Sequence, residues 1–339
     1  MNILITGAAG GIGSTLTLML RDKEYNISGL DNLNNGYIEN LYENGKLICN
    51  HFYEKDIRDV TSLEDIVRRE NIECVIHLAA ITALPSCEVD PCECINVNVA
   101  GTASVLNAAR LSGARVIFAS TSAIYENNTI DEAPFTEDIG VSPRLIYPLS
   151  KMMCENLINS YIKNYDLSVT TLRFFNVFGP RQDIYRKSPP LINYIVREVK
   201  KNIKLNFFSN GEQTRDYVHV NDVVTLIELC LNNKKSIGEI FNVCTSTGTS
   251  VKDIIYYAEE AFGKKIDYSF NEPKRFWENY DKLYHGANSL DEEVIKKEVN
   301  KYAIGSYEKA KKILKWQPNT DIKNLMINTM KENYDKLIM

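Results

Sequence analysis

The chain has 339 residues, 44% of them hydrophobic and 24% charged, enough to bury a full core in one large domain or two closely joined ones. A formal net charge of −5 offers no basic face for nucleic acid or anionic lipid. No apolar run approaches the ~20 residues that span a bilayer.

The first expected strand, Asn2–Thr6, has no basic and apolar leader ahead of it, so a secretory signal is not expected and the chain reads as cytoplasmic. A glycine turn and a helix over 12–21 follow. Further strands are expected at 26–30, 47–55, 74–78, 115–120 and Val169–Phe174, with helices at 60–70, 97–112 and 147–165 between them. This alternation predicts an α/β fold, a Rossmann-type doubly wound parallel sheet, and the continuously apolar strands suit burial on both faces. After Gly179 the prolines 180, 189 and 190 break the pattern. A strand at 216–220, a helix at 223–231 and a strand at Ile240–Val243 read as a return to the sheet. The expected division is a dinucleotide-binding domain over 1–175 with a return segment 216–243. A smaller α/β substrate lobe would take 176–215 and 244–339. The eight cysteines fit reduced thiols. Cys87, Cys92 and Cys94 cluster, but the spacing matches no common zinc pattern and no histidine lies nearby, so no metal is expected.

Gly7, Gly10 and Gly13 stand at Gly-x-x-Gly-x-x-Gly spacing between strand and helix, with Gly11 and Ile12 among them. Glycine permits the tight turn and the close approach of a pyrophosphate, which the helix N-terminus then receives. Asp31 ends the second strand 18 residues after Gly13, where its carboxylate can accept hydrogen bonds from ribose hydroxyls and repel a 2′-phosphate. No Lys or Arg occurs from Asp31 to Glu43, so NAD is favoured over NADP. Asp56-Ile57 ends the third strand, within reach of an adenine amino edge. Leu78-Ala79-Ala80 ends the fourth, where small residues let a cofactor lie across the sheet.

Tyr147 and Lys151 lie one helical turn apart on one face. A phenol of ordinary pKa about 10 must be partly ionised to take a proton from an alcohol, and a nearby ammonium and a positive nicotinamide would favour that. Tyr42–Lys46 and Tyr307–Lys311 share the spacing, but only Tyr147 follows a hydroxyl-rich strand end, Ser120-Thr121-Ser122.

Taken in order, these residues resemble the extended short-chain dehydrogenase/reductases, in the UDP-glucose 4-epimerase-like branch of NAD-dependent nucleotide-sugar epimerases and dehydratases. The resemblance runs through Asp56-Ile57-Arg58-Asp59, His77-Leu78-Ala79-Ala80, Asn98-Val99-Ala100-Gly101-Thr102 and Ser120–Tyr125. It continues in Leu172–Arg181 and in Gly211–Val220. It implies Thr121 as the hydroxyl that holds the sugar O4, Tyr147 as acid and base, and Lys151 as its electrostatic partner. It adds Asn32, Asn98 and Phe174 to the cofactor contacts. Ser122, Asn176 and Arg215 become substrate contacts, the last two on the diphosphate of a nucleotide-diphosphate sugar, with Leu191 and Phe208 near the base. The two long helices at 97–112 and 147–165 resemble a homodimer interface.

The departures bear on the reaction. The family's dehydratases and decarboxylases usually carry an acidic residue just after the catalytic Thr, where this chain has Ser122 and Ala123. Removing water across C5–C6 needs such an acid or base. A 4-epimerase is therefore the leading expectation. A one-way C4 dehydrogenase or a 4-ketoreductase is the alternative, and 4,6-dehydration ranks below both. A non-catalytic scaffold would be expected to lack Tyr147 or Lys151. Glu126 replaces the family's usual glycine, so the substrate loop is expected to differ there. Arg275 is a candidate second phosphate ligand. Phe276, Trp277, Tyr280 and Tyr284, in the polar stretch 276–297, read as a packed insertion or as a wall shaped for an unusual sugar or base.

Overall fold

The computed structural model describes residues 1–337 except 24 and 286–288. Its main sheet contains β1 (Asn2–Thr6), β2 (Asn26–Asp31), β3 (His51–Glu54), β4 (Cys74–His77), β5 (Arg115–Thr121), β6 (Val169–Phe174) and β7 (Ile240–Val243). All pairings are parallel, in the order β7-β6-β5-β4-β1-β2-β3. The chain builds outward one way from β1 and then the other way from β4, so the winding reverses between those two strands. Loops leaving their carboxyl ends part there and open a crevice.

Side-chain alternation explains the double burial. Ile3 and Ile5 pack on one face with Leu16 and Leu20 of α1 (Gly11–Arg21), while Leu4 packs on the other with Val105 and Leu106 of α2 (Gly101–Ser112). The next long helix, α3 (Ile146–Tyr165), adds Cys154 and Ile158 to that second face.

Three segments depart from expectation. The strand expected at 47–55 is split, because Lys46–Leu47 turns back to pair with Tyr42–Glu43 and only β3 reaches the sheet. The helix expected from 97 starts its α-helical course at Gly101, after a wider π-turn over Asn96–Ala100. Of the segment 216–243, β7 joins the sheet and the helix Val220–Asn232 packs on its face, but the expected first strand does not join it. Thr214–His219 instead pairs with Asn176–Phe178 and Gly248–Ser250. Its buried Asp216 carboxylate accepts from Thr245 N at 2.8 Å, Thr245 Oγ1 at 2.7 Å and Gly305 N at 3.3 Å.

The second lobe has its own core, in which Ile195, Phe207, Ile254, Met326 and Met330 meet. Its 276–297 stretch packs into a small core of its own through Trp277, Leu283 and Ile295. Trp277 is buried with Leu145, Leu283, Ile295 and Val299, the last two on α4 (Glu292–Asn300). Residues 286–288 of that stretch lie outside the described residues. All eight cysteines are free, and only Cys92 is exposed. Among the described residues there is no cluster of side chains that could hold a metal ion, and no helix is long and apolar enough to cross a membrane.

One buried ion pair ties α3 to the sheet. Arg173 on β6 meets Glu155 on α3 at 2.8 Å (Nη2–Oε2) and 3.1 Å (Nε–Oε1), with both side chains about nine-tenths buried. Arg173 Nη1 also donates to Tyr125 Oη at 2.7 Å and Glu137 O at 3.0 Å. Removing one partner of a buried pair strands the other charge, at a cost of about 3–5 kcal/mol. Glu155→Ala is therefore expected to lower unfolding stability by about that amount in urea titrations. A loss below about 1 kcal/mol would show that the pair does not anchor the helix.

Candidate active site

A cleft of about 540 Å³ opens at the β1/β4 reversal, lined by the glycine turn, the ends of β2, β4, β5 and β6, and the second lobe. The turn is tight for a physical reason. Gly7 has φ +73°, and a Cβ on Gly13 would stand 2.2 Å from Gly7 O. Helix α1 starts after Gly10 with no side-chain cap and no acidic residue in its first turn. Its leading N–H groups, at Gly11, Ile12 and Gly13, are thus left for an anionic ligand at the positive end of the helix.

Asp31 lies at the end of β2, 7% exposed, accepting from Ala9 N at 3.0 Å and Leu33 N at 2.9 Å. Burial raises its pKa and the two N–H bonds oppose that. Asn32, Ile57, Leu78, Ala79, Ala80 and Phe174 also line the cleft. A phosphate cradle, a carboxylate at the second strand end and a floor of small residues fit a dinucleotide.

Two expected cofactor contacts do not line it. The Asp56 carboxylate is taken by Arg58, at 2.8 Å to Nη2 and 2.9 Å to Nε, and by Asn32 Nδ2 at 3.0 Å. Those bonds hold its pKa at about 2, with Arg58 the chief cause. Asn98 is 1% exposed and spends its amide on the loop after β4, accepting from Ile81 N at 2.8 Å and donating to Ile81 O and Ser150 Oγ at 3.0 Å. The spacing of a motif could not reveal that inward turn.

Thr121 at the end of β5 and Tyr147 and Lys151 on α3 line the same cleft. Lys151 Nζ donates to Ala119 O at 2.8 Å and lies 4.8 Å from the centre of the Phe118 ring. Burial pushes the Tyr147 phenol up to about 12, and the buried thiols of Cys87 and Cys94 add to the rise. The Thr121 hydroxyl and the Arg186 guanidinium pull the other way. The low phenol pKa expected from the sequence is therefore not a property of these side chains alone. It needs a further positive charge in the cleft. Tyr42 is exposed and Tyr307 packs edge-on to Trp316; neither lines the cleft.

Two carboxylates fix the start of α3. No side chain of Leu145 caps it. Glu126 Oε1 instead accepts from Leu145 N at 2.9 Å and from Arg144 N, and Glu88 Oε1 accepts from Ile146 N at 2.5 Å. Glu126, the departure from glycine, is thus an anchor at the residues just upstream of the helix that carries Tyr147 and Lys151. No sequence signal pointed to Glu88.

On the substrate side, Ser122, Asn176, Leu191 and Arg215 line the cleft. Asn176 Nδ2 donates to Asp216 O at 3.0 Å. Arg215 spends its Nη groups on the carboxyl end of α4, donating to Glu298 O at 2.7 Å, Val299 O at 3.2 Å and Lys301 O. Phe208 does not line the cleft, because it packs edge-on to Phe276, 5.3 Å between centroids. Arg275 does not either, paired as it is with Glu278 at 2.7 Å. Gln182, Arg186, Tyr217 and Lys301 line it and were not singled out by the sequence. The Gln182 Oε1 atom is buried and has no hydrogen-bond partner among the described residues.

Residues 4–329 match a family described as GDP-mannose 4,6 dehydratase. The chain is 32% identical over 274 residues to UDP-glucose 4-epimerase of Mycolicibacterium smegmatis, covering 81% of this chain and 87% of that one. Its fold matches a UDP-glucose 4-epimerase of Thermotoga maritima solved with UDP-glucose, at TM-score 0.86 and 28% identity over 99% of each chain. It also matches a UDP-glucose 4-epimerase of Thermus thermophilus solved with NAD, at TM-score 0.83 and 26% identity over 100% of each chain.

The glycine cradle yields a direct test. Gly13→Ala forces α1 away from the turn, so dinucleotide affinity is expected to fall at least tenfold in a titration followed by fluorescence. Affinity unchanged in a folded variant would contradict the cradle.

Proposed function

The chain belongs to the NAD-dependent nucleotide-sugar epimerase/dehydratase family of extended short-chain dehydrogenase/reductases, and from that premise we propose that it is a nucleotide-sugar 4-epimerase. The observation that carries this reading is the absence of an acid beside Thr121. Ser122 and Ala123 follow it, and the nearest carboxylate along the chain, Glu126, is committed to the backbone of Arg144 and Leu145. Proton chemistry at C5–C6 then lacks a group beside Thr121, while C4 chemistry needs only Thr121 and Tyr147.

NAD is the cofactor, and when bound it would supply a hydride acceptor and donor for the sugar C4 and a positive charge in the cleft. The Asp31 carboxylate accepts from ribose hydroxyls and disfavours a 2′-phosphate. The Thr121 hydroxyl holds the sugar O4. Tyr147 Oη removes the O4 proton during oxidation and gives it back after the sugar has turned its other face. The Lys151 ammonium, held by Ala119 O, favours the ionised phenol. Asn176 faces the substrate diphosphate and Leu191 its base, while Arg215 borders the cleft with its Nη groups held by the end of α4. Epimerisation is redox-neutral, so no external oxidant is consumed.

Two copies are proposed to pair through α2 and α3, which expose Leu111, Met153 and Tyr165 at 59%, 39% and 55%. Large apolar side chains left open on neighbouring helices suit such an interface. A reducing compartment, the cytosol, is the proposed location, a reading that the free thiols support.

The test is mass spectrometry of a nucleotide-sugar panel incubated with NAD-loaded enzyme and no added cofactor. An isobaric, chromatographically distinct product is expected. Loss of two mass units, limited by bound NAD, would mean one-way oxidation, and loss of water would mean dehydration. Tyr147→Phe should slow turnover roughly 10²–10⁴-fold with NAD retained, and near-normal turnover would remove Tyr147 from the mechanism. Light scattering after size exclusion is expected to give twice the chain mass; a monomer would contradict the pairing.

A further inference from the structure

Five cationic side chains line the cleft: Lys55, Lys151, Arg186, Arg215 and Lys301. Four of them are engaged within the chain. Lys55 lies 3.6 Å from Asp59 and Lys301 lies 2.6 Å from Glu298. Lys151 donates to Ala119 O, and Arg215 to the carbonyls that end α4.

Arg186 is different. Its Nε donates to Ser188 O at 2.8 Å, but neither Nη group has an acceptor among the described residues. The carboxylate nearest in sequence, Asp183, makes no ion pair with it. Asp183 Oδ1 instead collects the Tyr37 hydroxyl at 2.8 Å and the backbone N–H groups of Tyr185 at 2.9 Å and Arg186 at 3.0 Å.

The base of this side chain is held firmly. The Arg186 carbonyl accepts from Arg197 Nη1 at 2.9 Å, on the helix Leu191–Lys200, and its N–H is fixed by Asp183. A guanidinium whose four Nη N–H donors find no acceptor among the described residues, presented in a cleft on a fixed base, matches a paired oxyanion in shape. Burial depresses its pKa, and its charge acts on the Tyr147 phenol, which puts it toward the reacting end. The sequence offered no motif for it. The two arginines it did offer are spent elsewhere, Arg215 on α4 and Arg275 on Glu278.

We propose that Arg186 is an oxyanion subsite of the substrate cleft, its two Nη groups receiving either the diphosphate oxygens of the nucleotide-sugar or a carboxylate carried on the sugar ring. The assignment rests on the nucleotide-sugar reading and deepens it. The subsite makes Arg186 a determinant of which sugars bind, since a neutral ring and an acidic one differ at this position if the carboxylate is the occupant.

The experiment is calorimetric binding to the NAD-loaded wild type, Arg186→Gln and Arg186→Lys. The first probes are UDP, GDP, CDP and dTDP. The glucose and glucuronate conjugates of whichever diphosphate binds most tightly follow. Arg186→Gln is expected to weaken binding at least tenfold, with Arg186→Lys between, since an ammonium keeps the charge and loses the fork. Weakening of the free diphosphate identifies phosphate as the occupant. Weakening of the glucuronate conjugate alone identifies the sugar carboxylate. Less than threefold change across the set, in variants that retain NAD, overturns the subsite and leaves the epimerase reading standing. Failure of every diphosphate to bind the wild type overturns the nucleotide-sugar reading and the subsite with it. Arg186→Lys preserves most of the packed stem and carries the test should Arg186→Gln not fold.

Discussion

The reversal of strand winding between β1 and β4 is the constraint from which the rest of the site follows. Parallel strands place all their carboxyl ends on one edge, and the reversal parts the loops there, so a ligand can reach the backbone of β1 and β4 together. Gly7 and Gly13 let helix and strand close to a separation that admits no Cβ. Thr121 arrives at the same edge because β5 neighbours β4, and α3 brings Tyr147 and Lys151 alongside because it crosses back between β5 and β6. The Arg173–Glu155 pair then locks α3 to β6.

Burial governs the chemistry of this edge. Tyr147 and Lys151 are 9% and 3% exposed, and burial disfavours both the phenolate and the ammonium. A phenol near 12 is a poor base at neutral pH. A positive charge bound in the cleft would shift that phenol toward ionisation. The same logic makes the anchors of α3 carboxylates. Glu88 and Glu126 accept from backbone N–H groups that would otherwise be left unpaired at a buried helix start.

What was legible in the sequence is what short-range geometry fixes. The glycine turn, Asp31 and the Tyr147–Lys151 spacing each lie within one strand–helix junction or one helical turn, so their placement follows from the element that carries them. Asp56 and Asn98 sit in equally recognisable motifs, yet Arg58 and the Ile81 backbone claim them, and those partners are chosen by folding. Phe208 and Arg275 do not line the cleft and instead meet Phe276 and Glu278 of the 276–297 stretch. The strand at Thr214–His219 pairs outside the main sheet, with Asn176–Phe178 and Gly248–Ser250, partners that lie far from it in sequence. Arg186 was unreadable for a different reason: it is distinguished by the partners it lacks, and only coordinates show that.

The central claim is that hydrogen leaves C4 and returns to C4 without exchanging with water. It is tested most directly with a nucleotide-sugar deuterated at C4, turned over by NAD-loaded enzyme in ordinary water and analysed by mass spectrometry and NMR. The account predicts an epimerised product that keeps its full deuterium label at C4. Loss of the label to solvent, or its migration to another carbon, would contradict it.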